Sequence, residues 1–148
     1  MPKKPSTGAT AIRHARAVIA LRWGHLPVLE ARKSVVWIPA ARGVRPISHQ
    51  EDLFGCFDFL ILGVPAWLVQ VTTEQKRSQT VTARKRKIEK KFIELYGANT
   101  AQHFTLRIWS WVPRSHFIDW KWEPDVDAWV RAEDLVSPLI KRAPRVTA

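Results

Sequence analysis

Between Ala9 and Trp23, apolar side chains recur at Ile12, Ala15, Val18, Ile19 and Trp23, with Arg13, Arg16 and Arg22 between them. That spacing predicts an amphipathic helix with a basic outer face. The pattern then changes. Ser34 to Pro39 (SVVWIP) reads as a short strand, and Ala40 to Gln50 as a loop carrying Arg42 and Arg45. Two β-runs follow, Phe57 to Leu62 and Ala66 to Thr72. Both are rich in β-branched and aromatic residues and are separated by Gly63-Val64-Pro65. They predict adjacent buried strands of a hairpin. Ser78 to Tyr96 predicts a second helix, with an apolar stripe at Val81, Ile88, Phe92 and Leu95 and Gly97 as its C-cap. Phe104 to Val112 and His116 to Trp122, joined by Pro113-Arg114-Ser115, predict a second hairpin. Asp125 to Arg142 reads as one or two short terminal helices around Trp129, Leu135 and Leu139.

These elements amount to a single α/β domain over residues 9–142, with a mixed central sheet of about five strands flanked by helices. Residues 1–8 and 143–148 read as loose tails. Trp109, Trp111, Trp120 and Trp122 fall on the facing strands of the second hairpin, where same-parity positions would stack as cross-strand pairs. Core filling or a dimer face accounts for them first. The interleaved Arg107, Arg114 and Lys121 keep a base-stacking platform open.

At 148 residues the chain suits one domain. Its 24 Lys and Arg against 13 Asp and Glu leave a net charge of +11. Such a balance favours a polyanionic partner, because each neutralised phosphate releases condensed counterions. Nucleic acid leads, with an anionic membrane surface or a ribosomal setting as the competing explanation. No apolar run is long enough to span a membrane and no signal peptide is legible, so a cytoplasmic location is expected. Cys56 stands alone and the five histidines are scattered, which argues against a disulfide or structural zinc. There is no glycine-rich phosphate loop and no nucleophile elbow.

Two polar residues interrupt the apolar β-runs: Asp58 in FDFLIL and Gln70 in AWLVQVTT. A buried carboxylate is costly unless it is paired, hydrogen-bonded or bound to metal. Asp58 is therefore a candidate site residue, the alternative being a turn cap or a partner of an arginine. Gln70 is either its companion or a strand-end amide facing solvent. On the second helix Arg84, Lys85, Arg86, Lys87, Lys90 and Lys91 have only Glu89 and Glu94 as local counter-charges, which favours a phosphate-facing role over a merely solvated face.

The order helix, strand, hairpin with an internal Asp, polar triplet, basic helix, strand resembles the core of the PD-(D/E)XK nuclease superfamily. In that superfamily an Asp opens the second core strand, and an acid, one spacer and a lysine sit on the third. Asp58 matches the first position, Gln70 falls where the acid belongs and Thr72 where the lysine belongs. The stretch Asp52 to Asp58 (DLFGCFD), the Gln-Val-Thr triplet, Arg84 and Lys87-Ile88 are similar to phage and mobile-element members related in shape to Holliday junction resolvases.

The resemblance covers about residues 9 to 112 and implies a restriction-endonuclease-like fold. It also implies a Mg²⁺- or Mn²⁺-dependent DNA endonuclease, with branched DNA among its candidate substrates. Asp58 would be the main metal ligand, joined by the Gln70 amide oxygen and the Val71 carbonyl, with Glu51 or Asp52 restoring the missing negative charge. With no lysine at position 72, orienting the nucleophile passes to Lys87, Arg84 or the Thr72 hydroxyl. Arg84, Lys85, Lys87, Lys90, Lys91, Arg42 and Arg45 would contact the DNA, and a homodimer is compatible with the pattern. The alternative is a catalytically degenerate copy of the fold that binds nucleic acid or a partner without cutting it. A basic structural protein of a nucleoprotein assembly ranks third.

Overall fold

A computed structural model describes residues 7–73, 80–97 and 103–140; within it, the side chains of Thr7, residues 32–38, Ala40, residues 45–51 and Thr80 are not described. The expected tails therefore lie almost wholly outside the described residues. Helix α1 spans Thr7–Trp23. It is followed by β1 (Val28–Glu30), β2 (Arg32–Ala40), β3 (Gly43–Glu51), β4 (Phe59–Ile61) and β5 (Ala66–Thr73). Helix α2 (Thr80–Ile88) precedes β6 (Phe104–Val112), β7 (His116–Glu123) and β8 (Ala128–Val136).

Six strands form one mixed sheet in the order β1-β4-β5-β6-β7-β8, while β2 and β3 pair only with each other. The sheet runs antiparallel except between β5 and β6, the pair joined through α2. Parallel neighbours need such a crossover, whereas β4 and β5 close directly as the expected hairpin, Phe59 opposite Val69.

The helices occupy opposite faces, and strand parity shows how. Ala11, Ala15, Val18 and Ile19 of α1 pack with Val69 and Val71 of β5 and Trp109 and Trp111 of β6. Ile88 and Phe92 pack with Leu68, Leu106, Ile108 and Trp122 on the other side. With apolar layers on both sides, β5 and β6 are buried along most of their length. This is why their sequences read as nearly continuous apolar runs.

The α/β architecture holds, and several of its parts need correction. The sheet has six strands rather than about five: β1 and β8 join its edges, while the expected strand at Ser34 to Pro39 lies outside it in the separate β2–β3 pair. Residues 43–51, read as loop, form a strand paired with β2 in unbroken register from Arg32↔Glu51 to Ala40↔Gly43. Gly43 and Pro46 look like loop punctuation; the pairing overrides them. Residues 128–136, read as helical, form the edge strand β8, with Trp129 opposite Trp122. Charged residues such as Arg131, Glu133 and Asp134 are typical of a sheet edge facing water.

The four tryptophans do not stack across the hairpin. Trp109 lies opposite Asp119, and Trp111 opposite Phe117. Trp109 and Trp111 serve the α1 face, while Trp120 and Trp122 serve the α2 face. Core filling is their role in the fold.

In the second helix the described chain begins at Thr80 and turns into a π-helical segment, Glu89–Ile93, before its last turn. The wider turn advances the register, so Phe92 is buried and Ile93 joins the core while Leu95 is 70% exposed. The helix ends at Gly97 with φ 82°, the left-handed conformation expected of a C-cap glycine.

Candidate functional site

The loop between β3 and β4 brings Asp52 and Asp58 to one end of the sheet. It turns through two successive left-handed residues, Phe54 (φ 53°) and Gly55 (φ 76°), and is closed by the Leu53↔Phe57 bridge. For a phenylalanine that conformation costs about 1–2 kcal/mol. Its ring offsets the strain by packing on Phe92, Tyr96 and Phe104, with centroids 5.7, 6.1 and 6.4 Å away.

Asp58 stands at the head of β4, where its backbone N–H donates to the Val69 carbonyl (2.8 Å) and its carbonyl accepts from Ala31 (2.7 Å). Its carboxylate extends the β4–β5 ladder just ahead of the first residue of β4. Oδ2 accepts the Val71 backbone N–H at 2.7 Å and the Gln70 amide at 2.8 Å. The same Gln70 nitrogen donates to the Val71 carbonyl at 3.1 Å. Two oxygens thus converge on one amide nitrogen, while Gln70 Oε1 is buried without a hydrogen-bond partner among the described residues. Burial pushes the Asp58 carboxyl up to about 6. The Val71 N–H opposes this, Asp52 adds to it, and Arg84 and Lys87 oppose it.

These groups line a cleft of about 980 Å³ between the N-terminal half of α1, strand β1 and the ends of β4 and β5. Asp52, Asp58, Gln70, Val71 and Arg84, all singled out in the sequence, meet there. Glu30 and Arg16 also line it and were missed. They form a close pair: Arg16 Nε donates to both Glu30 oxygens at 2.8 and 3.0 Å. A three-residue strand shows no periodicity, so Glu30 carried no sequence signal beyond a charge after two apolar residues.

The remaining candidates lie elsewhere. Thr72 is buried in β5 and does not line the cleft. Lys87 donates to Asp52 Oδ2 at 3.2 Å, beside the cleft rather than on its wall. Lys85 lies 3.8 Å from the Trp120 ring centroid, a cation–π contact, and burial lowers its pKa. Lys90 and Lys91 are exposed on the π-helical segment, and Arg42 is exposed at the tip of the β2–β3 hairpin. The side chains of Glu51 and Arg45 lie outside the described residues.

A divalent-ion site can be tested against these atoms. No cluster of three or more His, Cys, Asp or Glu capable of holding a metal occurs among the described residues. The set at hand is one carboxylate, one backbone carbonyl and one amide whose oxygen lacks a partner. That set suits a weakly held hard cation, since Mg²⁺ is commonly bound through one or two carboxylates, with water and substrate phosphate completing its shell. No helix among the described residues is long and apolar enough to cross a membrane.

Compared with protein-family models, with curated proteins and with solved structures, the chain has no match in any of the three.

Proposed function

We propose that the protein is a divalent-metal-dependent DNA endonuclease built on a PD-(D/E)XK-type core. The observation that carries this reading is the convergence of Asp58 Oδ2 and the Val71 carbonyl on the Gln70 amide nitrogen. An amide rotation would turn Gln70 Oε1 toward Asp58 Oδ2 and the Val71 carbonyl, giving three oxygens that would hold a cation between them. The connectivity supports the same reading. Helix α1, the antiparallel run β1-β4-β5, the α2 crossover and the parallel β6 follow the order of elements in that superfamily, with the β2–β3 hairpin inserted.

In this reading Asp58, Gln70 and Val71 hold Mg²⁺ or Mn²⁺, which supplies Lewis-acid polarisation of the scissile phosphate and activation of water. Arg84, on the cleft wall, neutralises the phosphate. The Arg16–Glu30 pair also lines the cleft. Lys87 fixes Asp52 at the rim. Net charge supports DNA as the partner.

A second reading, a binding module that has lost cleavage, is favoured by a specific arrangement. Gln70 gives its amide hydrogens to Asp58 and to the Val71 carbonyl, Lys87 is engaged by Asp52, and no lysine stands at position 72.

Incubation with linear, nicked and four-way DNA in Mg²⁺, Mn²⁺ or EDTA separates the two. Metal-dependent cutting that disappears in Asp58→Ala is expected. DNA binding without cutting by any substrate and ion pair would overturn the enzyme and leave the module.

A further inference from the structure

The β2–β3 hairpin leaves the body of the protein at the cleft and returns to it there. Ala31, immediately before β2, and Asp52, immediately after β3, both line the cleft wall. Nine residues pair in each strand, a ribbon of roughly 30 Å at about 3.3 Å per residue. It joins no other strand, and among the described elements it packs broadly against none. A two-stranded ribbon of this kind is marginal by itself in water. A partner is therefore expected to cover it.

Charge and backbone together identify that partner. Between residues 32 and 51 the chain carries Arg32, Lys33, Arg42 and Arg45 against Glu51 alone. The tip, residues 41–44, is exposed. Each strand also carries a proline within the ladder, Pro39 opposite Val44 and Pro46 opposite Trp37. A proline removes a backbone donor and blunts a strand against pairing with a further one. Strand addition by a second copy is thereby disfavoured, while side-chain contact with an anionic groove is not. The major groove of DNA, about 12 Å wide, admits a two-stranded ribbon.

We infer that the β2–β3 hairpin is the arm by which this protein grips double-stranded DNA, lying in the major groove and holding the duplex over the cleft. This inference rests on the nucleic-acid reading above and deepens it, but it does not depend on cleavage.

The test is carried out in EDTA, where cutting plays no part. Binding of a 20-base-pair duplex and a 20-nucleotide single strand is measured for the wild type, for a variant with residues 33–50 replaced by a short Gly/Ser link, and for Arg42→Ala/Arg45→Ala. Melting curves check that each variant is folded. The link variant is expected to lose tenfold or more in duplex affinity, with a smaller loss for the single strand. The double alanine variant is expected to lower the slope of log affinity against log salt by about one unit per lost contact. Guanine N7, a major-groove atom, should be protected from dimethyl sulfate by the wild type and not by the link variant.

Unchanged duplex affinity and salt slope in both variants, or no N7 protection by the wild type, overturns the inference. So does a link variant that turns a dimer into a monomer in sedimentation while keeping its DNA affinity. A wild type that protects N7 yet cuts nothing in Mg²⁺ or Mn²⁺ refutes the nuclease and upholds the arm.

Discussion

Gln70 and Asp58, twelve positions apart in the chain, are joined by a 2.8 Å hydrogen bond from the Gln70 amide to Asp58 Oδ2, and the same nitrogen reaches the Val71 carbonyl at 3.1 Å. One neutral amide thus bridges the two oxygens that, in the proposed reading, would join Gln70 in holding a cation. The bond holds the strand-end carboxylate in position and, at the same time, covers it.

Replacing that amide by an acid separates the two roles. Gln70→Glu removes both donated hydrogens and sets a second carboxylate against Asp58, so without divalent ions the variant should be less stable by about 1–3 kcal/mol. Mg²⁺ or Mn²⁺ should restore its melting temperature and bind on the order of tenfold more tightly than to the wild type, equivalent to about 1.4 kcal/mol. Calorimetry and melting curves with and without Mn²⁺ check this. Equal affinities and no rescue by the ion would remove the site from this end of the sheet.

The buried pair of Arg107 on β6 and Asp119 on β7 (2.5 Å) offers a test away from the cleft lining; Arg107 also lies over the Trp67 ring. Removing one partner leaves an uncompensated buried charge, so Asp119→Ala should cost about 3–5 kcal/mol. The double change Arg107→Met/Asp119→Leu should come close to wild-type stability. Denaturant titrations of the singles and the double give the coupling directly; a double mutant as unstable as the sum of the singles would contradict it.

The same pair has a pH signature. Burial pushes the Asp119 carboxyl up to about 6 against the pull of Arg107. The folded protein therefore holds this proton more tightly than the unfolded chain, whose aspartates titrate near 4. The stabilising contribution is complete below about pH 4 and fades as pH rises through about 6, by on the order of 3 kcal/mol. Melting temperatures of wild type and Asp119→Asn, followed from pH 4 to 7, should show the wild type losing ground relative to the variant across that window. Parallel curves would contradict it.

The π-helical segment predicts opposite outcomes for two residues of one expected stripe. Phe92, 1% exposed and in contact with Phe54, Phe57, Tyr96 and Phe104, should cost about 3–5 kcal/mol on truncation to alanine. Leu95→Ser should stay within about 0.5 kcal/mol of the wild type. Comparable losses at the two positions would place the regular helical register back in the protein.

Lys90 and Lys91 are exposed on the same segment. If they meet phosphates, Lys90→Ala/Lys91→Ala should weaken DNA binding across all sequences and lower the salt slope by about one unit per lost contact. A slope unaltered from 50 to 200 mM salt would show that these lysines only solvate the helix.

Periodicity alone determined α1, the β4–β5 hairpin, β6 and β7, because each buries a face or both faces and its apolar spacing records that burial. Chemistry at single positions was legible too: Asp58 and Gln70 stood out because a charge and an amide within apolar runs require partners, and they prove to be each other's. What the chain pattern could not carry was decided by contacts between distant segments. Strand β8 exists because Trp129 meets Trp122 at a sheet edge that tolerates charges, and strand β3 because it pairs along its whole length with β2. Glu30 reaches the cleft because β1 docks beside β4, and Arg16 because α1 packs across β5 and β6. Leu95 leaves the core because one wide helical turn shifts the register beneath it, a change of backbone geometry that the identities of the residues do not record.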